Sequence, residues 1–420
     1  MYFLAEKPLY YKREIDLFIG NLYMTMPISF YGIIARIISL ILPLKKNSWV
    51  FGSCYGKMYG EGSRYLLEYM RKEHPNYDCT FITRSKSVKD SLASKGIPCE
   101  MNFSLRGMII IARAEVVFNT QSTTDVLFVY KKKGRKFIFL SHGQPYKAAF
   151  LATPKYYQQN RFPEKKGLAG LIVRLSRYLG RGYRSWESFF YTSTSDYLVP
   201  YNKMYYGENA PVLVLGMPRN DILFDDVAMS QESWLPNLKD KLVITYMPTH
   251  RDYGKGDTSP IPFVNNEKAK QWMKENNVVL LVKQHPNMAS KITNSIYDES
   301  IIDITKMGFD SQVCLYHSDA IITDYSSVWI DYLLLKRPIV FYYYDDYITE
   351  DVGVLYDIKE DPPGPLCYSE KELFETLKRI KYEYKLISPS DRVVRKYHKY
   401  VDNLSCKRVY EAVIDSNVYE

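Results

Sequence analysis

Short apolar runs that end in small or polar residues, spaced by helix-length amphipathic stretches, constrain this chain more than any other feature. Trp49-Val-Phe-Gly-Ser53, Tyr77 to Thr83, Glu115 to Thr120 and Lys136 to Leu140 read as strands, with helices over Arg64 to Lys72 and Met108 to Ala114. After a linker at Asp225 to Asp240 the pattern resumes with Lys241 to Tyr246, Asn277 to Lys283, Ala320 to Thr323 and Pro338 to Tyr342. Strands that alternate with helices need crossover connections, and those build mostly parallel, doubly wound sheets. Two such blocks suit 420 residues at 46% hydrophobic content, because a chain this long divides into more than one core. In open α/β sheets ligands bind beyond the carboxyl ends of the strands. The residues at those ends are therefore the ones to read for chemistry.

The most informative end is Asp319-Ala-Ile-Ile-Thr-Asp-Tyr-Ser-Ser-Val-Trp-Ile-Asp331, a buried strand, a polar turn and the first turn of a helix. Ser326 and Ser327 suit a helix N-terminus, whose free N–H groups favour an anion. An ordinary capped helix is the bland alternative. His142 and His285 each follow an apolar strand directly and precede Gly143 or Pro286, one in each block. A lone histidine there is more often structural, but two at strand ends of one fold suggest acid/base work and phosphate neutralisation. Arg219 after Gly216-Met-Pro218 and Arg251 after Pro248-Thr-His250 are candidates to fork onto phosphate oxygens. Their competing reading is surface pairing with Asp221 and Asp252. His74, His317 and His398 lie in helical or loop contexts and carry no such expectation.

Neither GxxxxGK[ST] nor GxGxxG stands in a strand-to-helix setting, which disfavours P-loop hydrolysis and nicotinamide chemistry. Asp324 and Asp331 lie seven positions apart without a pattern that would cage a metal, so neither metal nor cofactor is expected. The six cysteines show no CxxC spacing, consistent with reduced thiols rather than a zinc site. The 39 tyrosines fill cores and seams at least as often as they stack on bases. Net charge of +9 points to an anionic partner: nucleic acid, membrane or phosphorylated substrate.

Leu22 to Leu44 is apolar but interrupted by Pro27, Gly32, Arg36 and Pro43. Its longest helical core, Ile28 to Leu42, falls short of the ~20 residues a spanning helix needs. An interfacial helix fits residues 1–47 slightly better than a buried one. Lys131 to Arg184 holds fourteen basic residues and one acid, and Leu168 to Leu179 reads as a basic amphipathic helix. Near an anionic leaflet each basic residue contributes about 1 kcal/mol. Lys165, Lys166, Arg174, Arg177 and Arg181 form the expected membrane or acceptor patch.

The ordered motifs resemble those of the CDP-glycerol glycerophosphotransferases of teichoic acid and capsule synthesis. Ser141-His-Gly-Gln-Pro-Tyr-Lys147 is similar to that family's HGTPLK, Gly216-Met-Pro-Arg-Asn-Asp221 to GxPRND, and Tyr246-Met-Pro-Thr-His-Arg-Asp252 to YxPTWRD. His285-Pro286, the ITDYSS segment continued through Lys336-Arg-Pro338 and Phe341 to Asp345, and Pro363-Gly-Pro365 complete six in order. The resemblance runs from about Ser48 to the C-terminus. It implies a GT-B-like fold, with two Rossmann-like domains (48–225 for acceptor and membrane, 240–385 for the donor) facing a cleft, and a helix at 386–420 crossing back.

It further implies transfer of a polyol phosphate from a CDP-alcohol to a lipid-linked or polymeric hydroxyl, releasing CMP, by a peripheral enzyme on the cytoplasmic membrane face, with no nucleic-acid partner. His142 would be the base and His285 would stabilise the diphosphate or leaving CMP. Ser326 and Ser327 would hold the donor phosphates with Arg219 and Arg251, and Thr249, Thr323, Asp324 and Asp331 complete the expected donor set. Gln144 in place of Thr and His250 in place of Trp depart from the pattern and put the choice of donor in question. The chain lacks the long N-terminal extension of some polymerases and reads as a single catalytic unit. The rival enzyme reading is a GT-B glycosyltransferase or epimerase using a nucleotide-diphosphate sugar, and the non-enzymatic one is a basic RNA- or membrane-binding scaffold.

Overall fold

The computed structural model describes residues 31–148, 152, 188–232, 234, 235, 238, 240–249, 260–284, 296–345 and 353–415. These form two compact units. One takes its residues from 1–59, 70–138 and 163–188, the other from 60–69, 139–162 and 189–420.

In the first unit, strands β1 (Lys45–Phe51), β2 (Asp78–Thr83), β3 (Cys99–Met101), β4 (Ala114–Asn119) and β5 (Lys136–Phe139) lie in the order β3-β2-β1-β4-β5. The β1–β2, β1–β4 and β2–β3 ladders are parallel. Val50, Ile82, Val117 and Phe137 bury one sheet face against Ile111 of the helix Leu105–Arg113. That helix and Lys86–Ser94 begin at Ser104 and Ser85, whose side chains accept from Gly107 N and Val88 N. Hydroxyls there satisfy N–H groups the helix leaves without partners.

Residues 31–41 are helical, with Ala35 packed on Met108 and Tyr130 while Ile33, Ile37, Leu40 and Ile41 stay exposed. Two members of the basic stretch prove structural. Lys132 donates to the Ser39 and Leu42 carbonyls at the C-terminal end of this helix, where a cation complements the dipole. Arg135 is buried and donates to the carbonyls of Ala114, Tyr130, Ile111 and Ala112. No described helix is long and apolar enough to cross a membrane.

The second unit takes up the chain at Phe139, which pairs with Tyr191 of β6 (Tyr191–Ser193), itself parallel to β7 (Val212–Val214). Its large sheet comprises β8 (Leu242–Tyr246), β9 (Val278–Val282), β10 (Ile296–Asp298), β11 (Ile301–Asp303), β12 (Ala320–Thr323), β13 (Ile339–Tyr342) and β14 (Leu366–Cys367). The order is β10-β11-β9-β8-β12-β13-β14, parallel throughout except for β10 against β11. The near-continuous apolar runs of β9 and β13 follow from burial on both faces.

Gly60–Tyr69 joins the second unit. The cause is packing at the start of the helix Glu61–Glu73. A Cβ on Gly62 would stand 3.4 Å from Leu140 and 3.8 Å from Pro218. The expected linker also holds a short helix, Asp226–Ser230, capped by Asp225. Beyond Ile387 the chain returns to β6 and β7. Thr194 Oγ1 donates to Tyr397 O at 2.7 Å, Lys399 N to Thr194 O at 2.8 Å, and Arg408 Nε to Leu215 O at 2.9 Å.

Pro363-Gly-Pro365 acquires a steric meaning. A Cβ on Gly364 would lie 1.9 Å from the Ile339 carbonyl oxygen, so the chain can run beside β13 only with glycine there. Gly364→Ala should therefore lower unfolding free energy by about 3 kcal/mol, at the upper end for overpacking because the obstructing atom is backbone. Urea denaturation checks this.

Candidate active site

The second unit's sheet has one topological switch point. From β8 the chain moves outward to β9, then returns to β12 on the other side of β8 and proceeds to β13. The crevice at a reversal of this kind is where open α/β sheets bind ligands. Both strands that flank it end in the singled-out motifs. Thr249, after β8, donates through N and Oγ1 to Asp324 Oδ1 after β12, at 2.7 and 2.6 Å. Thr323 Oγ1 donates to Met247 O at 2.8 Å. Thr323 and Asp324 are fully buried. They tie the two loops together.

Past β12, Tyr325, Ser326, Ser327 and Val328 are the partly exposed residues of the segment. The helix that follows, Val328–Tyr332, is only five residues long and runs into a 3-10 turn at Leu333–Leu335. Ser327 occupies its cap position, yet its hydroxyl makes no capping bond. The helix is anchored instead by Trp329, fully buried and edge-on to Tyr146 and Tyr397, and by His398, whose Nε2 lies 2.6 Å from Ile330 O. A carbonyl only accepts, so Nε2 carries the hydrogen, and burial holds the imidazole below its usual pKa.

His142 is exposed on a loop held from three directions. Ser141 sits at φ 63° and its Oγ donates to Gly143 O at 2.7 Å. Tyr206, stacked on Tyr191, donates through its hydroxyl to Ser141 Oγ at 3.0 Å. Arg219 Nη1 donates to the His142 carbonyl. Gly143 has φ 154°, and a Cβ there would come within 2.8 Å of Ser327 Oγ. Glycine thus lets the histidine loop close against the serine turn. On its other side the loop continues through Tyr146, whose carbonyl accepts from Leu355 N at 2.8 Å.

Arg219 itself is 5% exposed. Its guanidinium pairs with Glu61 at 2.6 Å and with Asp331. Burial works against the charge, but Asp331 and Glu61 hold the group protonated beyond the ordinary arginine range. Asp331 is 1% exposed and also accepts from Asn220 Nδ2 at 2.9 Å. Asn220 Oδ1 in turn accepts from Gln312 at 2.6 Å. Glu61 is held at φ 57°, a left-handed backbone that costs a non-glycine residue about 1 kcal/mol or more. Burial pushes its carboxyl up, Arg219 pulls it down, and Asp310 and Asp331 add to the rise.

Several expected site residues therefore change role. Arg219 pairs with two carboxylates and a carbonyl rather than with Asp221, and Asp331 is its buried partner. Asp221 accepts from the N–H groups of Ser405 and Cys406 at 2.9 and 2.7 Å, capping the helix Ser405–Ile414. Gln144 is 1% exposed, donates to Thr192 O and accepts from Asn202, so this departure from the motif is absorbed in the core. His142, Gly143 and Ser327 are brought together. His250, Arg251, His285, Lys165, Lys166, Arg174, Arg177 and Arg181 lie outside the described residues. The sequence reading missed Glu61, Asn220, Gln312 and Tyr206. The signals available were the glycines on either side of Glu61 and the two polar residues that follow Arg219.

The buried network and the serine turn should respond differently to truncation. Asp331→Ala leaves Arg219 short of one carboxylate and is expected to cost about 3–5 kcal/mol. Ser327→Ala, which removes no cap, should stay within about 0.5 kcal/mol of the parent. Urea midpoints measured at constant slope test both.

Residues 34–415 match the family described as CDP-Glycerol:Poly(glycerophosphate) glycerophosphotransferase. The teichoic acid poly(glycerol phosphate) polymerase of Bacillus subtilis (strain 168) is 28% identical over 356 residues, covering 82% of this chain and 45% of that protein. The teichoic acid glycerol-phosphate transferase of Staphylococcus aureus (strain NCTC 8325 / PS 47) is 28% identical over 358 residues, 80% of this chain and 84% of that one. The chain spans about half the length of the B. subtilis polymerase and of its Staphylococcus epidermidis counterpart. The solved structure of the wall teichoic acid polymerase TagF aligns with a TM-score of 0.68 at 22% identity, covering 96% of this chain and 97% of that chain. That likeness shows the GT-B-like fold. With the family match running across nearly all of the described residues, the chain belongs to the CDP-glycerol:poly(glycerophosphate) glycerophosphotransferase family.

Proposed function

We propose that the protein transfers glycerol phosphate from CDP-glycerol to a hydroxyl on a lipid-linked or polymeric teichoic acid acceptor, releasing CMP. One observation carries the reading: an exposed histidine loop closes on the serine turn at the sheet's switch point, with Gly143 the residue that permits the approach. Donor phosphates would lie against Tyr325 to Ser327, the part of that turn a ligand can reach. His142 would take the proton from the acceptor hydroxyl as its oxygen attacks the phosphorus that bears glycerol. One P–O bond forms to the acceptor, the P–O bond to the CMP oxygen breaks, and the pair of electrons leaves with CMP. His285 and Arg251 would meet the leaving phosphate. The relatives named for teichoic acid glycerol-phosphate synthesis support this choice over a nucleotide-sugar reaction.

The same reading places the enzyme at the cytoplasmic membrane face. Ile33, Ile37, Leu40 and Ile41 recur at helical spacing and leave an apolar stripe exposed on the helix of residues 31–41. Such a stripe suits an interfacial helix, and Lys165, Lys166, Arg174, Arg177 and Arg181 would add attraction to anionic lipid.

His142→Ala should lower CMP release about 10²-fold or more while the fold is retained, in line with loss of a general base. A comparison of CDP-glycerol, CDP-ribitol and UDP-sugars with a lipid-linked acceptor, read as CMP against UDP, tests the donor class. UDP release without CMP would overturn the assignment. Exchanging Ile37, Leu40 and Ile41 for Ser should weaken sedimentation with anionic liposomes, and undiminished sedimentation would remove this helix from the attachment surface.

A further inference from the structure

We propose that Glu61 is a positioning residue for His142, acting through Arg219. The inference rests on the reaction proposed above and adds a residue that lies outside all six motifs. Three observations converge on it. Its carboxylate pairs at 2.6 Å with the same Nη1 that donates to the His142 carbonyl, so one nitrogen links the acid to the histidine loop. The other terminal nitrogen is held by Asp331, which belongs to the helix following the serine turn. A planar guanidinium clamped at both ends by carboxylates cannot rotate, and the carbonyl it holds is fixed with it.

The backbone supplies the third observation. Glu61 keeps a left-handed φ of 57° between two glycines, Gly60 and Gly62, at a position where glycine would sit without strain. Gly62 in turn allows the helix start to approach Leu140 and Pro218, the residues just ahead of Ser141 and Arg219. A side chain retained against its own backbone preference, and delivered to the clamp of the catalytic loop, points to a function for its carboxylate.

The clamp is composed of charges of both signs. Around Arg219 stand Glu61 and Asp331, and Glu61 also faces Asp310. Removing Glu61 leaves Asp331 as the balancing carboxylate, so the arginine keeps a charge partner but loses the constraint on the nitrogen that holds the loop. Small displacements of a reacting group from productive geometry have large rate effects, and they affect the chemical step more than donor binding.

The test uses the full chain with Glu61→Gln and Glu61→Gly. The glycine variant deletes the carboxylate while relieving the left-handed strain, so it keeps the experiment informative if the glutamine variant folds poorly. Two quantities are read: kcat and KM for CDP-glycerol from CMP release, and the ¹³Cε1 signal of His142, assigned by its loss in His142→Asn. Both variants are expected to lower kcat about 10²-fold with KM within about twofold, and to move the His142 signal while that of His74 stays in place. An unmoved His142 signal, or a kcat loss that only follows the unfolded fraction in a thermal melt, overturns the proposal. So does a rise in KM at constant kcat, which would make the pair a donor-binding element. If the parent releases no CMP but the His142 signal still moves in both variants, the positional link stands and the proposed reaction is what fails.

Discussion

A buried guanidinium that cannot give up its charge organises the candidate site. Arginine stays protonated in any protein environment, so Arg219 must be balanced where it stands. Glu61 and Asp331 do so from opposite sides, and the His142 carbonyl takes the remaining direction of the fork. Removing the arginine from such a cluster would strand two carboxylates in low dielectric, which is far costlier than never building it. The arrangement therefore contributes rigidity more than net stability. It ties the histidine loop to the helix that follows the serine turn.

The three residues Arg219, Asn220 and Asp221 show how one short 3-10 segment serves three ends. It begins at Pro218, which tolerates the missing N–H of a first turn. Successive side chains of a tight helix point about a third of a turn apart. Arg219 reaches the histidine loop, Asn220 bridges Asp331 and Gln312, and Asp221 caps the C-terminal helix. The segment thus joins the end of β5, the helix after β12 and the returning C-terminal chain within one compact unit. Polar residues in that motif are buried because each has a partner, which is the condition for burying them at all.

Much of the fold was legible from the chain alone, and the reasons are physical. Strand positions came within a few residues because buried parallel strands are continuous apolar runs bounded by polar ends, as with Ala320–Thr323, which matches in full. The place of His142, three residues past the end of β5, was legible because polar residues at strand ends stand out against apolar runs. The roles of Arg219, Asp324 and Asp331 were not, since side-chain chemistry is the same whether an arginine meets phosphate or carboxylate. What decides is the partner, and Glu61 lies 158 positions from Arg219. No local pattern carries a contact of that range. The grouping of Gly60–Tyr69 with the second unit was hidden for a related reason: it follows the packing of Gly62 on Leu140 and Pro218 rather than a change in composition.

Donor selectivity can be narrowed by the same partner argument. Gln144 stands where the family motif has Thr, which at first puts the donor in question. Its amide is spent on Thr192, Met217 and Asn202 in the core, so the exchange alters packing beneath the loop and offers nothing to a ligand. Thr323, Asp324 and Asp331 are likewise enclosed. What remains for a diphosphate near the described switch point is the surface of Tyr325, Ser326 and Ser327, with Tyr325 stacked on Tyr343 at 4.7 Å. Tyr343 is in turn 3.4 Å, hydroxyl to hydroxyl, from Tyr146 of the histidine loop. The serine turn and the histidine loop are thereby coupled twice, through the Arg219 clamp and through this tyrosine pair. In the proposed reaction, a change in how the donor seats on Tyr325 would therefore reach the His142 loop without any residue between them being a ligand itself.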